Sequence, residues 1–167
     1  MQAFHPDHYS ASMRIQELYR VWDQLREGRL MPKRHEFNPM SVPHLLPFIF
    51  LDNVQNNPMG FKLRLVGTAL VECLGFDPTG QLRESNEDTK STWKRLEAVT
   101  KEKEPIIGEN LIYDNSETYQ PEYDSIHLPF SSDGENVDII LSLSSIQKQE
   151  SLHTYLDNRS NQTVSYS

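Results

Sequence analysis

The amino-acid sequence predicts an α+β fold: a five-stranded antiparallel sheet with short helices and one longer helix on one face, preceded by an N-terminal amphipathic helix. Three observations predict it. Within Phe61–Gly80, FKLRLVGTALVECLGFDPTG, the apolar spacing switches from a period of two to a helical period across the Gly67-Thr68 turn. Two turn signals, Asn56-Asn57-Pro58-Met59-Gly60 and Ser132-Asp133-Gly134-Glu135, each join two strand-like segments into a hairpin. Helical segments separate these hairpins, and antiparallel pairing with short helical connections makes an α+β domain with one sheet face covered.

Taken in order, residues 1–11 are polar and read as a disordered tail. Residues 12–28 form an amphipathic helix, with Ile15, Leu18, Tyr19, Val21, Trp22 and Leu25 on one side and Gly28 at the C-terminal cap. Residues 29–47 are a connection carrying Pro32, Pro39, Pro43 and Pro47. The domain proper spans 48–146. Phe48–Val54 and Phe61–Val66 form the first hairpin, and a short helix ends at Gly75. Gln81–Asp88 is polar and irregular. Ser91–Lys103 is the long helix, with Trp93, Leu96 and Val99 on one side, a Glu97–Lys101 pair one turn apart, and Pro105 as its stop. Glu109–Tyr113, Ser125–Phe130 and Val137–Ser145 complete the sheet. Pro129 cannot donate to a ladder, so its position must face an edge, a bulge or a gap. In the last strand Val137, Ile139, Leu141 and Leu143 alternate with Asp138, Ile140, Ser142 and Ser144, which makes it the central strand with Leu141 buried. Residues 147–167 read as a polar C-terminal tail.

Composition sets outer limits. The chain has 167 residues, enough for one domain with its own core. A formal charge of −8 repels phosphate backbones and anionic lipid, which argues against nucleic acid and membrane as partners. Lys33-Arg34 reads as a solvated loop. One cysteine, Cys73, allows no intramolecular disulfide and no cysteine-based metal site. No apolar run approaches the ~20 residues of a membrane span, and the first residues lack a signal-peptide pattern. Asn158-Arg159-Ser160 and Asn161-Gln162-Thr163 match the glycosylation pattern by chance in that setting. The expected location is cytoplasmic.

Chemistry is sparse. His35 and His44 flank prolines without a third ligand at metal spacing. Asp114, Glu117, Glu122 and Asp124 cluster between two strands but lack the ordered spacing of a calcium loop. No Ser/His/Asp set and no glycine-rich phosphate loop is present. No catalytic residue and no metal ligand is therefore assigned. His127, between Ile126 and Leu128, reads as a surface or hydrogen-bonded core histidine, with ligand contact as the rarer alternative.

Four segments in fixed order, WDQLREGRLMP, LLPFIFLDNV, FKLRLVGTALVECLGFDPTG and HLPFSSDGENVDIIL, resemble a bacterial family of short, single PAS-domain proteins. The resemblance covers Leu18 to Ser145. It implies the PAS fold, in which the outer strands of the sequence meet at the sheet centre, and a sensory or protein-interaction role. It implies no catalytic residues. Flavin-binding light sensors of the PAS type carry a reactive cysteine in a polar, arginine-containing helical motif, whereas Cys73 sits in apolar LVECLGF. Haem-binding members use a histidine on the long helix, and Ser91–Lys103 has none. No flavin, haem or other cofactor is expected, and an unidentified small ligand is the remaining candidate. With no kinase, cyclase or DNA-reading segment after the domain, output is expected through another molecule, an unknown signalling protein.

Two sites follow. The resemblance places a ligand between sheet and long helix, lined by Leu63, Leu65, Leu74, Trp93, Tyr113, His127 and Leu141, with His127 as the polar contact. The helix of residues 12–28 carries an apolar stripe wider than the ~100° that one core requires. A homodimer through Ile15, Leu18, Tyr19, Val21, Trp22 and Leu25 is therefore expected, with packing across the chain's own open sheet face as the alternative. A ligand-free structural adaptor and a small enzyme on the same fold are the rival functional readings.

Overall fold

The computed structural model describes residues 2–3, 13–87, 89–110 and 123–145. The chain runs β1 (Gln2–Ala3), α1 (Met13–Arg26), β2 (Ile49–Asn56), β3 (Met59–Val66), α2 (Thr68–Leu74), α3 (Lys90–Glu102), β4 (Ile106–Asn110), β5 (Tyr123–Phe130) and β6 (Ile139–Ser145). All pairings are antiparallel, in the order β1-β4-β5-β6-β2-β3. β2 and β6 meet at the sheet centre, so the first and last strands of the predicted domain are neighbours. Gln2–Ala3, read from sequence as tail, instead pairs with Ile107 and Ile106 at the edge of β4. The rest of that predicted tail, the C-terminal tail, Tyr113, Asp114, Glu117 and Glu122, and both glycosylation patterns lie outside the described residues.

Local chemistry sets the boundaries. Gly75 ends α2 in the left-handed conformation, at φ 78°, where a Cβ would be strained. α3 ends at Glu102, with Lys103 left-handed at its C-terminal cap two residues before Pro105, which cannot continue a helix. The fourth strand starts three residues earlier than the sequence pattern suggests, because Ile106 and Ile107, both β-branched and buried, begin pairing immediately after that proline. Pro129 lies beyond the start of β4, which pairs no further than Ile106 with His127. Its carbonyl is left free of the ladder and accepts a hydrogen bond from Trp22 Nε1 of α1 at 2.8 Å. This is the gap in pairing that a strand proline demands.

Directly opposed residues of an antiparallel pair point to the same face. Phe50 opposes Ser142, which opposes His127, which opposes Ile106; this row belongs to the α3 face. Leu51, Leu141 and Leu128 form a row on the other face, under α1. β3 contains a bulge: consecutive Leu51 and Asp52 oppose Leu65 and Leu63, leaving Arg64 as the extra residue. The bulge inverts the alternation. Phe61 and Leu63 face α3, whereas Leu65 turns to the α1 side and is 42% exposed there.

Both faces are covered, not one. On the first, Ile15, Leu18 and Trp22 of α1 are buried with Met31, Phe37, Val42 and Leu45. The last four come from the proline-rich connection. It is not an extended linker but three 3₁₀ turns, Arg34–Glu36, Pro39–Ser41 and Pro43–Phe48, that close the core. Phe37 meets Phe130 edge-on at 6.2 Å. On the second face, α3 buries Leu96 and Val99, and Trp93 stands edge-on to Phe61 at 4.9 Å. β5 and β6 are accordingly buried on both sides, from Ser125 to Phe130 and from Ile139 to Leu143. Leu141, in the central strand β6, is fully buried.

Candidate functional site

An apolar cleft of about 230 Å³ opens on the α3 face, between β2, β3, the end of α2 and the start of α3. Phe50 and Leu63 supply its sheet wall. Trp93 and Thr92 supply the α3 wall. Leu74 and Phe76 stand at the mouth, 39% and 54% exposed. Thr89 caps the approach to α3: its hydroxyl donates to the Glu84 carbonyl and its N–H donates to Asn86 Oδ1.

One ion pair is built into the wall. Asp52, fully buried in β2, accepts from Arg83 Nε at 2.6 Å and from Arg83 Nη2 at 3.0 Å. The same guanidinium lies 5.2 Å from the Phe50 ring centroid. The segment carrying Arg83 is stitched to β3 by Arg83 N–H to the Phe61 carbonyl and Leu63 N–H to the Gln81 carbonyl. A fork-shaped, bidentate contact neutralises a carboxylate that could not stay charged alone inside the domain.

Deeper on this face, His127 is held between two serines. Ser142 Oγ lies 2.7 Å from Nδ1, and Ser125 Oγ lies 3.4 Å from Nε2. Ser125 spends its own proton on the Gly108 carbonyl, at 3.3 Å. Its oxygen is then free to accept from Nε2–H, which leaves Nδ1 to accept from the Ser142 hydroxyl. The ring is thus a neutral Nε2–H tautomer. Burial lowers its pKa to about 3, with the charges of Arg95 and Arg83 pushing in the same direction. Arg95 lies over Gly108, where a Cβ would come within 2.6 Å of its guanidinium. Gly108 is the gap that admits Arg95, whose own pKa is lowered by burial.

A strongly shifted histidine facing a cleft would favour catalysis. His127 does not line the cleft, and its shift follows from enclosure among serines. Among the described residues, no group of three or more His, Cys, Asp and Glu side chains is arranged to hold a metal. His44 instead contacts the Glu17 carboxylate at 2.9 Å on the surface. No helix among the described residues is long and apolar enough to cross a membrane.

The PAS domain family model matches residues 10–144. The chain belongs to the PAS domain family. Among solved structures, a light-oxygen-voltage domain described with a flavin analogue is similar at 12% identity, covering 74% of this chain and 93% of that chain, with a TM-score of 0.45. At that similarity its flavin does not transfer to this chain. No curated protein matches the sequence.

Against this PAS frame, the predicted pocket residues divide. Leu63, Leu74 and Trp93 come together in the cleft. His127 is on the same face but shut away behind its hydrogen bonds. Leu65 and Leu141 do not join them, the first because of the bulge at Arg64, the second because it opposes Leu128 on the α1 face. Tyr113 and the side chains of Cys73 and Asp124 lie outside the described residues. Of the proposed dimer stripe, Ile15, Leu18 and Trp22 are buried against the chain's own sheet, and Tyr19, Val21 and Leu25 are half-buried beside them. The buried side of the stripe lies over the chain's own sheet, and Tyr19, Val21 and Leu25 are the stripe residues left partly open to a second copy. Phe50, Phe76 and Arg83 are site residues that sequence periodicity did not single out. Their one advance signal is Asp52, a lone carboxylate inside the apolar strand IFLDNV.

Proposed function

We propose that this PAS domain is a sensory and regulatory module that holds a small ligand in the cleft between sheet and α3 and acts by contact with another protein. The observation that carries the reading is the cleft itself. Apolar groups from β2, β3, α2 and α3 converge on one space and leave Leu74 and Phe76 facing solvent at its mouth. Large apolar side chains gathered at a concavity mark a binding surface more often than a packing fault. PAS membership supports the regulatory part of the reading and supplies no catalytic group.

A ligand-free adaptor is the second reading, favoured by size. Ligand pockets usually begin near 300 Å³, roughly, and this cleft, at about 230 Å³, falls below that. Native mass spectrometry of freshly purified protein separates the two. The sensor carries a co-purifying small molecule that Trp93→Ala releases. An adaptor is bare, and its melting temperature is unmoved by a library of small apolar compounds.

A further inference from the structure

We infer that the cleft selects an uncharged, planar aromatic molecule of one or two fused rings; this rests on the sensory reading and names its ligand class. The first ground is size and wall chemistry. A dry apolar cavity of about 150 Å³ accepts benzene, and the space here is about 230 Å³. Phe50, Leu63, Phe76 and Trp93 offer flat or apolar surfaces around it. Trp93 is braced by an edge-on contact with Phe61 at 4.9 Å.

The second ground is charge balance. Arg83 is the cation in the lining, and Asp52 neutralises it through two hydrogen bonds. Glu84 is the other charged lining group. Its side chain is exposed, so water screens that charge, and the α3 N-terminus, where Thr89 and Thr92 line the cleft, contributes roughly half a charge of the opposite sign. A charged ligand would lose its hydration without gaining a counter-charge, which is unfavourable whichever its sign. A neutral ring loses nothing comparable.

Titration of ¹⁵N-labelled full-length protein with indole, indole-3-acetate and tryptamine at neutral pH tests this with one ring in three charge states. Indole should shift the Trp93 side-chain resonance and bind at least about tenfold tighter than either charged analogue, a gap of ~1.4 kcal/mol. Leu63→Trp, which fills the cleft, should abolish the shift, and unchanged binding in that variant would overturn the assignment to this site. Glu84→Gln removes an exposed charge and should improve indole-3-acetate binding by up to about fivefold. No improvement would overturn the charge argument. Tighter binding of either charged analogue at the cleft overturns the inferred class and leaves the sensory reading standing. No binding of all three, together with a bare native mass spectrum, overturns both.

Discussion

His127 is kept uncharged by its surroundings, and this makes a pH signature. The native ring takes a proton only near pH 3, whereas an unfolded histidine does so near ~6.5. Between those values the unfolded chain binds one more proton than the folded one, so stability rises with pH. The folded-state pKa is depressed, and stability is lost as pH falls below the unfolded value. The limiting slope is about 1.4 kcal/mol per pH unit. Lowering the pH from 6.5 to 5 should therefore cost the wild type up to about 2 kcal/mol more than His127→Gln, which has no proton to take up. Urea unfolding of both proteins at the two pH values measures the difference. Equal losses would mean that His127 is reached by solvent. The sequence supports an inward histidine through Ile126 and Leu128 but hides its partners. Ser125 and Ser142 meet it only through cross-strand register. The Arg64 bulge is similarly silent, because no glycine or proline marks it, and Leu65 is misplaced for that reason alone.

At the scale of elements, α1 behaves as a layer of the domain. Ile15, Leu18 and Trp22 together bury three large apolar side chains, each worth about 1.5–3 kcal/mol. That sum is comparable with the whole stability of a small domain, about 5–15 kcal/mol. Deleting residues 1–28 should abolish cooperative unfolding, read by circular dichroism, and not yield a folded, smaller core. Trp22→Phe is the gentler test. It keeps most of the ring and removes the donor to the Pro129 carbonyl, at a cost of about 1–3 kcal/mol because a buried acceptor is left unpaired. A truncated chain that melts cooperatively would show that the sheet does not need this cover. The elements themselves were largely legible, since β-branched and aromatic alternation with turn residues marks β2, β3, β5 and β6. The packing side of α1 was not. An amphipathic stripe records that a helix is covered, without recording by what; Leu128, Phe130 and Leu141 on the face beneath α1 are what its buried side meets.

Across the whole molecule, the sheet is a middle layer. The buried part of its α1 face is hydrocarbon, whereas its α3 face mixes apolar groups with Asp52, Ser125, His127 and Ser142. The first face supplies most of the cohesion and the second carries the cleft, so binding chemistry is separated from the larger part of the core. The PAS architecture was readable through the resemblance of four ordered segments, and the central position of β6 because its strand pattern records burial. The cleft was read only in part, because Leu63, Leu74 and Trp93 were visible by periodicity while the Asp52–Arg83 pair joins residues far apart in sequence. A layered domain of this kind should open as a unit. The amides of α1 pack into the same cluster as β5 and β6, and so should exchange with solvent only when the sheet itself opens. Residues 84–87 and 132–136 are held by short local hydrogen bonds and carry exposed side chains, and should exchange early. Hydrogen exchange followed by mass spectrometry should give α1 and β6 opening free energies within about 1.4 kcal/mol, a factor of ten in rate. If α1 exchanged a thousandfold faster than β6, it would be a detachable arm, and the continuity of core from helix to central strand would not hold in solution.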